Sequence, residues 1–122
     1  MYLVGSPHPN KTDAQRLVER LISERQRLVS DAEVLQEILH RYVAIRRQDF
    51  IQRAFDSLLG IVDEILVIDR ASVERAKEIV FGHPRLSARD ALHLAVMERH
   101  GVGRIVSFDS AFDGFPGVTR VL

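Results

Sequence analysis

The stretch that decides the fold is SARDALHLAVMERHGVGRIVSF, residues 87–108. Over residues 87–100, Ala91, Leu92, Leu94, Ala95, Val96 and Met97 cover most of a helical circumference, the pattern of a buried helix. Ser87 reads as its cap, with Asp90 at the third position. Gly101 and Gly103 bracket a turn, and RIVSF, residues 104–108, reads as a strand. A buried helix that turns at once into a short apolar strand belongs to an α/β sheet covered on both faces.

The rest of the chain repeats that alternation. Upstream, residues 12–24 form an amphipathic helix with Ala14, Leu17, Val18, Leu21 and Ile22 at helical spacing, and Thr12 with Gln15 makes a capping-box pattern. RLVS, residues 27–30, is a short strand. A helix over residues 31–46 follows, capped by Ser30 with Glu33. Residues 48–59 continue helically, ILVI (65–68) reads as a buried strand, and 71–80 as a helix. Downstream, VTRVL (118–122) is a further strand. That makes four strands in one α/β domain with a mainly parallel sheet. MYLVG, residues 1–5, is apolar and short, and its pattern fits a strand or the end of a helix.

Composition narrows the function. The 122 residues suit one domain, here 1–122, of the usual size of about 100–150. Seventeen Lys and Arg balance 17 Asp and Glu, so any nucleic-acid contact is a local patch and not a basic coat. Fifteen of the 17 basic residues are Arg, the better phosphate fork. The absence of Cys excludes disulfides, thiolate catalysis, zinc fingers and iron–sulfur clusters, and fits a reducing cytoplasm. No apolar run has the roughly 18–20 residues of a membrane span, and the N-terminus lacks a signal-peptide layout.

Open parallel sheets bind ligands beyond the carboxyl ends of their strands. Asp109 directly follows the 104–108 strand. Asp90 lies in the first turn of the helix leading to that strand, and Glu37 in the second turn of the helix after RLVS. Three acids from distant parts of the chain thus share one rim, and Asp113 joins them if its segment is helical. Clustered carboxylates repel unless a cation neutralises them, and Mg²⁺ or Mn²⁺ suits an all-oxygen site. Each acid also has a plainer reading. Asp90 favours the helix dipole. Glu37 lies roughly 150° from its helix's apolar stripe, which makes it a solvated Glu, and Asp109 can start a turn. His93, on the same helix face as Asp90, reads as a core histidine with one satisfied nitrogen. No nucleophile elbow, phosphate-binding Gly-rich loop or dinucleotide fingerprint is present.

Three segments carry a resemblance. SARDALHLA (87–95), RIVSFDSAFDGFPGV (104–118) and VSDAEVLQEILHRY (29–42) resemble PIN-domain ribonuclease toxins of the VapC type. The resemblance spans nearly the whole chain, and its RDALH and SFDxxF pieces are its specific part. It implies a doubly wound parallel α/β sheet flanked by helices. It implies a metal-dependent endoribonuclease toxin of a toxin–antitoxin pair, using Mg²⁺ or Mn²⁺, with a cognate VapB-like antitoxin and a homodimer in a prokaryotic cytoplasm. Matched by position, the metal-binding and catalytic acids are Glu37, Asp90 and Asp109, with Asp113 auxiliary and Ser107 as the hydroxyl residue preceding the last acid. The alternative is a weak or inactive module that keeps the antitoxin and dimer surfaces. A phosphatase using the same acids is a more distant one.

One departure stands against the family pattern. The family opens with an apolar strand ending in Asp-Thr-Asn, and this chain has no such motif. Residues 1–5 resemble the stretch just after it, so the expectation is a sheet lacking its first, central strand and its first acid, in an N-terminally truncated domain. Three accounts stand open: a start upstream of Met1, a truncated inactive relative, or another segment in the central slot. The first is the working expectation.

Overall fold

The computed structural model describes residues 1–5 and 11–122. Its sheet has five parallel strands: β1 (Tyr2–Val4), β2 (Leu28–Asp31), β3 (Glu64–Leu66), β4 (Arg104–Val106) and β5 (Thr119–Val121). Their order is β3-β2-β1-β4-β5, every pair parallel. The helices are α1 (Lys11–Ser23), α2 (Ala32–Ala44), α3 (Ile51–Ile61), α4 (Arg70–Gly82) and α5 (Ala88–His100).

The central slot is where expectation and structure part. Tyr2–Val4 occupies it, with Leu3 opposite Val29 of β2 on one side and Ile105 of β4 on the other. The expectation of a missing central strand is therefore corrected: another segment, MYLVG itself, fills the slot. The physical reason is the cost of leaving two parallel strands unpaired in a core. Leu3 is fully buried and Val4 nearly so. What stays absent is the acid, because the residue after the strand is Gly5.

Side chains alternate across the sheet. Leu3, Val29 and Ile105 face one apolar core, shared with Ala76 and Ile79 of α4 and with Leu94 and Met97 of α5. Val4, Leu28 and Val106 face the other, shared with Val18 and Leu21 of α1, Val34 and Ile38 of α2 and Leu58 of α3. Helices on both faces of a parallel sheet make the doubly wound α/β arrangement. As its pattern predicts, α5 is the most deeply buried helix, ending at Gly101, whose φ of 68° is left-handed.

Several local readings change. Asp31, not Ser30, caps α2 by accepting from the Val34 amide at 3.0 Å. Ser30 Oγ donates instead to the Val4 carbonyl at 2.7 Å, across the strand pair. Helix α1 starts at Lys11, which puts Thr12 inside it. The expected buried strand ILVI shortens to an edge strand ending at Leu66, and Val67 is 74% exposed. Helix α3 runs past the expected end at residue 59 to Ile61 and so takes in Gly60. No helix among the described residues is long and apolar enough to cross a membrane.

Candidate functional site

Strand order reverses between β1 and β4, since the chain leaves β1 toward β2 and later returns to β4 on the other side. A crevice opens at such a point, beyond the carboxyl ends of the strands. Here it is a cleft of about 1160 Å³. Gly5 follows β1 into its wall, and Ser107 and Asp109 follow β4. Asp90 and His93 enter from α5 and Glu37 from α2, while Arg41 and Arg89 lie on the same walls.

Each acid is set by its local structure. Ser87 Oγ accepts from the Asp90 amide at 3.1 Å, which fixes Asp90 in the first turn of α5. The capping role and the position on the cleft coexist. Ser107 Oγ accepts from the Asp109 amide at 3.0 Å, and Asp109 Oδ1 accepts from the Ala111 amide at 2.9 Å. Asp109 thereby caps a 3₁₀ turn, Ser110–Phe112, and still stands on the cleft wall. Ser107 acts on the loop that carries Asp109. Asp113 goes elsewhere: Arg120 grips both its oxygens, at 2.9 and 3.0 Å, and it does not line the cleft. The turn ends before a helix can bring Asp113 around, and its backbone is extended.

Glu37 departs from the solvated reading. Its side chain is only 14% exposed, and its Oε1 lies 3.0 Å from His93 Nε2. The other ring nitrogen, Nδ1, lies 2.6 Å from Asp31 Oδ2. His93 is thus a buried histidine with both nitrogens engaged, where the sequence suggested one. Asp31 is fully buried and His93 is 5% exposed. Burial alone would lower the His93 pKa, but the hydrogen bonds from the ring to Asp31 and Glu37 outweigh it and push it up to about 10. At neutral pH the ring is an imidazolium that donates to both carboxylates.

Electrostatics join the remaining acids. Burial pushes the Asp90 carboxyl above its usual range, and the charges of Asp109 and Glu37 push it the same way. The Ser87 hydrogen bond and the His93 charge pull against them. Glu33, in the first turn of α2, is raised by burial and then by Glu37. Asp109 and Glu37 oppose the charging of Asp90, and a cation among the three would relieve that opposition. The donor chemistry of Glu37, Asp90 and Asp109 fits a hard, oxygen-seeking ion. Their spacing is loose: among the described residues no three His, Asp or Glu side chains are close enough to hold one. A divalent ion held by all three would draw them together. Asp31 is the residue that sequence reasoning missed. Its position after a strand and before a helix puts it at the same edge as Asp109, and that placement was the available signal.

Comparison with known proteins agrees with this architecture. Residues 1–118 match the PIN domain family. Ribonuclease VapC13 of Mycobacterium tuberculosis is 57% identical over 121 residues, covering 99% of this chain and 92% of that protein. Ribonuclease VapC23 of the same species is 39% identical over 109 residues, 89% of this chain and 86% of that one. Among solved structures, VapC20 of M. tuberculosis, a Sarcin-Ricin loop cleaving toxin, has a TM-score of 0.71 at 22% identity, covering 97% of this chain and 98% of that one. VapBC2 of Rickettsia felis, bound to a DNA fragment from their promoter, has a TM-score of 0.76 at 15% identity, covering 98% and 96%. At such identities these two structures speak for the fold alone. By the family match over residues 1–118 and by sequence identity, the chain belongs to the PIN-domain family and, within it, to the VapC ribonucleases.

Proposed function

We propose that the chain is a metal-dependent endoribonuclease, the toxin of a toxin–antitoxin pair, that hydrolyses RNA phosphodiester bonds. The observation that carries this reading is the meeting of Glu37, Asp90 and Asp109 on one cleft at the switch point. Their host chain is 57% identical to a ribonuclease over almost its whole length. Asp90 and Asp109 would hold Mg²⁺ or Mn²⁺ with Glu37 beside them, and Asp113 would join only if Arg120 released it. Such an ion supplies positive charge to the scissile phosphate and acidifies a water. Glu37 accepts a hydrogen bond from the attacking water and orients it. Arg41 and Arg89 line the same walls, where they would meet the flanking phosphates of an RNA strand. Because Gly5 brings no carboxylate to the end of β1, metal binding is weak and cleavage slow.

The partners follow from the same reading. A cognate antitoxin is the partner that membership of the VapC family implies. A homodimer and a prokaryotic cytoplasmic location complete the proposal. The test is cleavage of RNA by the whole chain with Mg²⁺ or Mn²⁺, beside an EDTA control and Asp90→Asn. Cleavage abolished by both supports the enzyme. No cleavage, with antitoxin binding retained, turns the reading to an inactive binding module, which Gly5 at the central strand end favours. Turnover of phosphomonoesters without RNA cleavage turns it to a phosphatase.

A further inference from the structure

Behind the cleft carboxylates lies a buried chain of groups that the proposed reaction does not itself consume. Asp31 Oδ2 meets His93 Nδ1 at 2.6 Å, and His93 Nε2 meets Glu37 Oε1 at 3.0 Å. The other buried residues of α5, namely Ala91, Leu94, Ala95, Val96 and Met97, are apolar. Helix packing alone would put another apolar residue at His93. Capping α2 would need only Ser or Asn at Asp31. The fold instead buries an acid and a histidine, an arrangement that is costly unless both are fully paired. Of this chain only the Glu37 and His93 ends reach the cleft.

The connections form a closed loop. Asp31 caps α2 through the Val34 amide at 3.0 Å, so it is rigid with the helix that carries Glu37. His93 lies three residues after Asp90 on α5, the spacing of neighbours on one helix face. The ring therefore ties the helix of one rim acid to the helix of another. Glu37 has a long side chain on the wall of a wide cleft, and such a side chain gives up much rotamer freedom when it is ordered. Here the ring has already ordered it.

We propose that Asp31 and His93 are positioning residues that fix the Glu37 carboxylate, and its distance from Asp90, in readiness for the divalent ion. The proposal rests on the metal-dependent reading above. It is tested by Mn²⁺ binding to the whole chain, read by electron paramagnetic resonance of free Mn²⁺, with a thermal melt of each variant. Asp31→Asn keeps an oxygen for the Val34 amide but loses the charged anchor of the ring. It is expected to weaken Mn²⁺ binding about tenfold, the size typical for partners of metal-ligating groups. Glu37→Gln weakens binding too, and the double variant binds no worse than Glu37→Gln alone, because Asp31 acts through Glu37. Unchanged Mn²⁺ affinity in Asp31→Asn, or losses that multiply in the double variant, overturns the proposal and leaves the metal reading standing. Should Asp31→Asn not fold, His93→Gln and His93→Asn replace it. The Gln amide reaches the Nε2 position and Glu37, and keeps most of the affinity. The Asn amide reaches only Asp31 and loses about tenfold; equal affinities overturn the proposal. A wild-type chain that binds no Mn²⁺ overturns both readings.

Discussion

Raising the pH from about 6 to about 10 removes the proton that joins Asp31, His93 and Glu37, and stability falls with it. The ring is 5% exposed and has carboxylates at 2.6 and 3.0 Å. They hold it protonated to about 10 against an ordinary value of 6.5. In the unfolded chain the ring gives up its proton near 6.5. Between the two values the folded state binds more protons than the unfolded one, so stability decreases as pH rises. The contribution is fully present below about 6.5 and gone above about 10, and the gap is worth about 5 kcal/mol at most. That is a large share of the roughly 5–15 kcal/mol of a whole domain. The assay is urea denaturation followed by circular dichroism across this range, comparing wild type with His93→Gln. Other groups titrate there as well, and the comparison cancels them. The expected result is a stability gap of about 3–5 kcal/mol at the acid end, as for breaking a buried pair, shrinking steadily toward the alkaline end. A gap that stays constant across the range would refute the charged link.

Three further perturbations separate site from scaffold. A Cβ on Gly5 meets only the Val106 carbonyl, at 3.7 Å, so Gly5→Asp fits the wall of the cleft. With Val4 opposite Val106, the new acid stands at the end of β1 on the cleft wall that Asp109 shares. It lowers metal-free stability by about 1–2 kcal/mol through repulsion and tightens Mn²⁺ binding, so thermal melts shift in opposite directions without and with Mn²⁺. An unchanged response to Mn²⁺ argues against a metal rim at that strand end. Asp113→Ala breaks the surface pair with Arg120; it changes stability little and leaves Mn²⁺ affinity unaltered, whereas a clear loss of affinity brings Asp113 into the ion's ligand set. Leu94→Ala empties a fully buried site against the sheet and costs about 3–5 kcal/mol in urea denaturation; a loss below about 1 kcal/mol contradicts the packing described.

Much of this was legible because it rests on period and punctuation. The all-round apolar pattern of residues 91–97 fixes α5 as buried, and Ser87 and Gly101 mark its ends as observed. Asp90 and Asp109 were placed on one rim from chain order alone, since helix starts and strand ends share an edge in a parallel sheet. Strand β1 was harder. Three residues carry too little periodicity to separate a strand from a helix end, and pairing on both sides decides what the residues themselves leave open. Glu37 was hidden for another reason. Helical angle says only that it faces away from the apolar stripe of α2. What fills that direction is His93, from a helix 56 positions away in sequence. The same long-range contact hid Asp31, whose neighbours Ser30 and Glu33 offered a local capping pattern that the fold does not use.

The unequal treatment of the strand ends sets a balance between an empty and a filled cleft. Each carboxylate drawn to the rim raises the cost of the metal-free fold, because Asp90 is already pushed up by burial and by Asp109 and Glu37. The protonated His93 relieves part of that crowding from the cleft wall, where the ring reaches Glu37. Gly5 relieves more of it by adding no charge at the central strand. Both reliefs stabilise the chain without an ion, and the Gly5 relief weakens its hold on one. Adding a carboxylate at Gly5 and removing the charge of His93 therefore both leave the metal-free rim more negative, and they part only in what they do to an ion. The first should raise ion affinity at the expense of metal-free stability. The second should lower stability by stranding the Asp31 charge in the core, and should lower affinity only where the replacement releases Glu37, as Asn does and Gln does not.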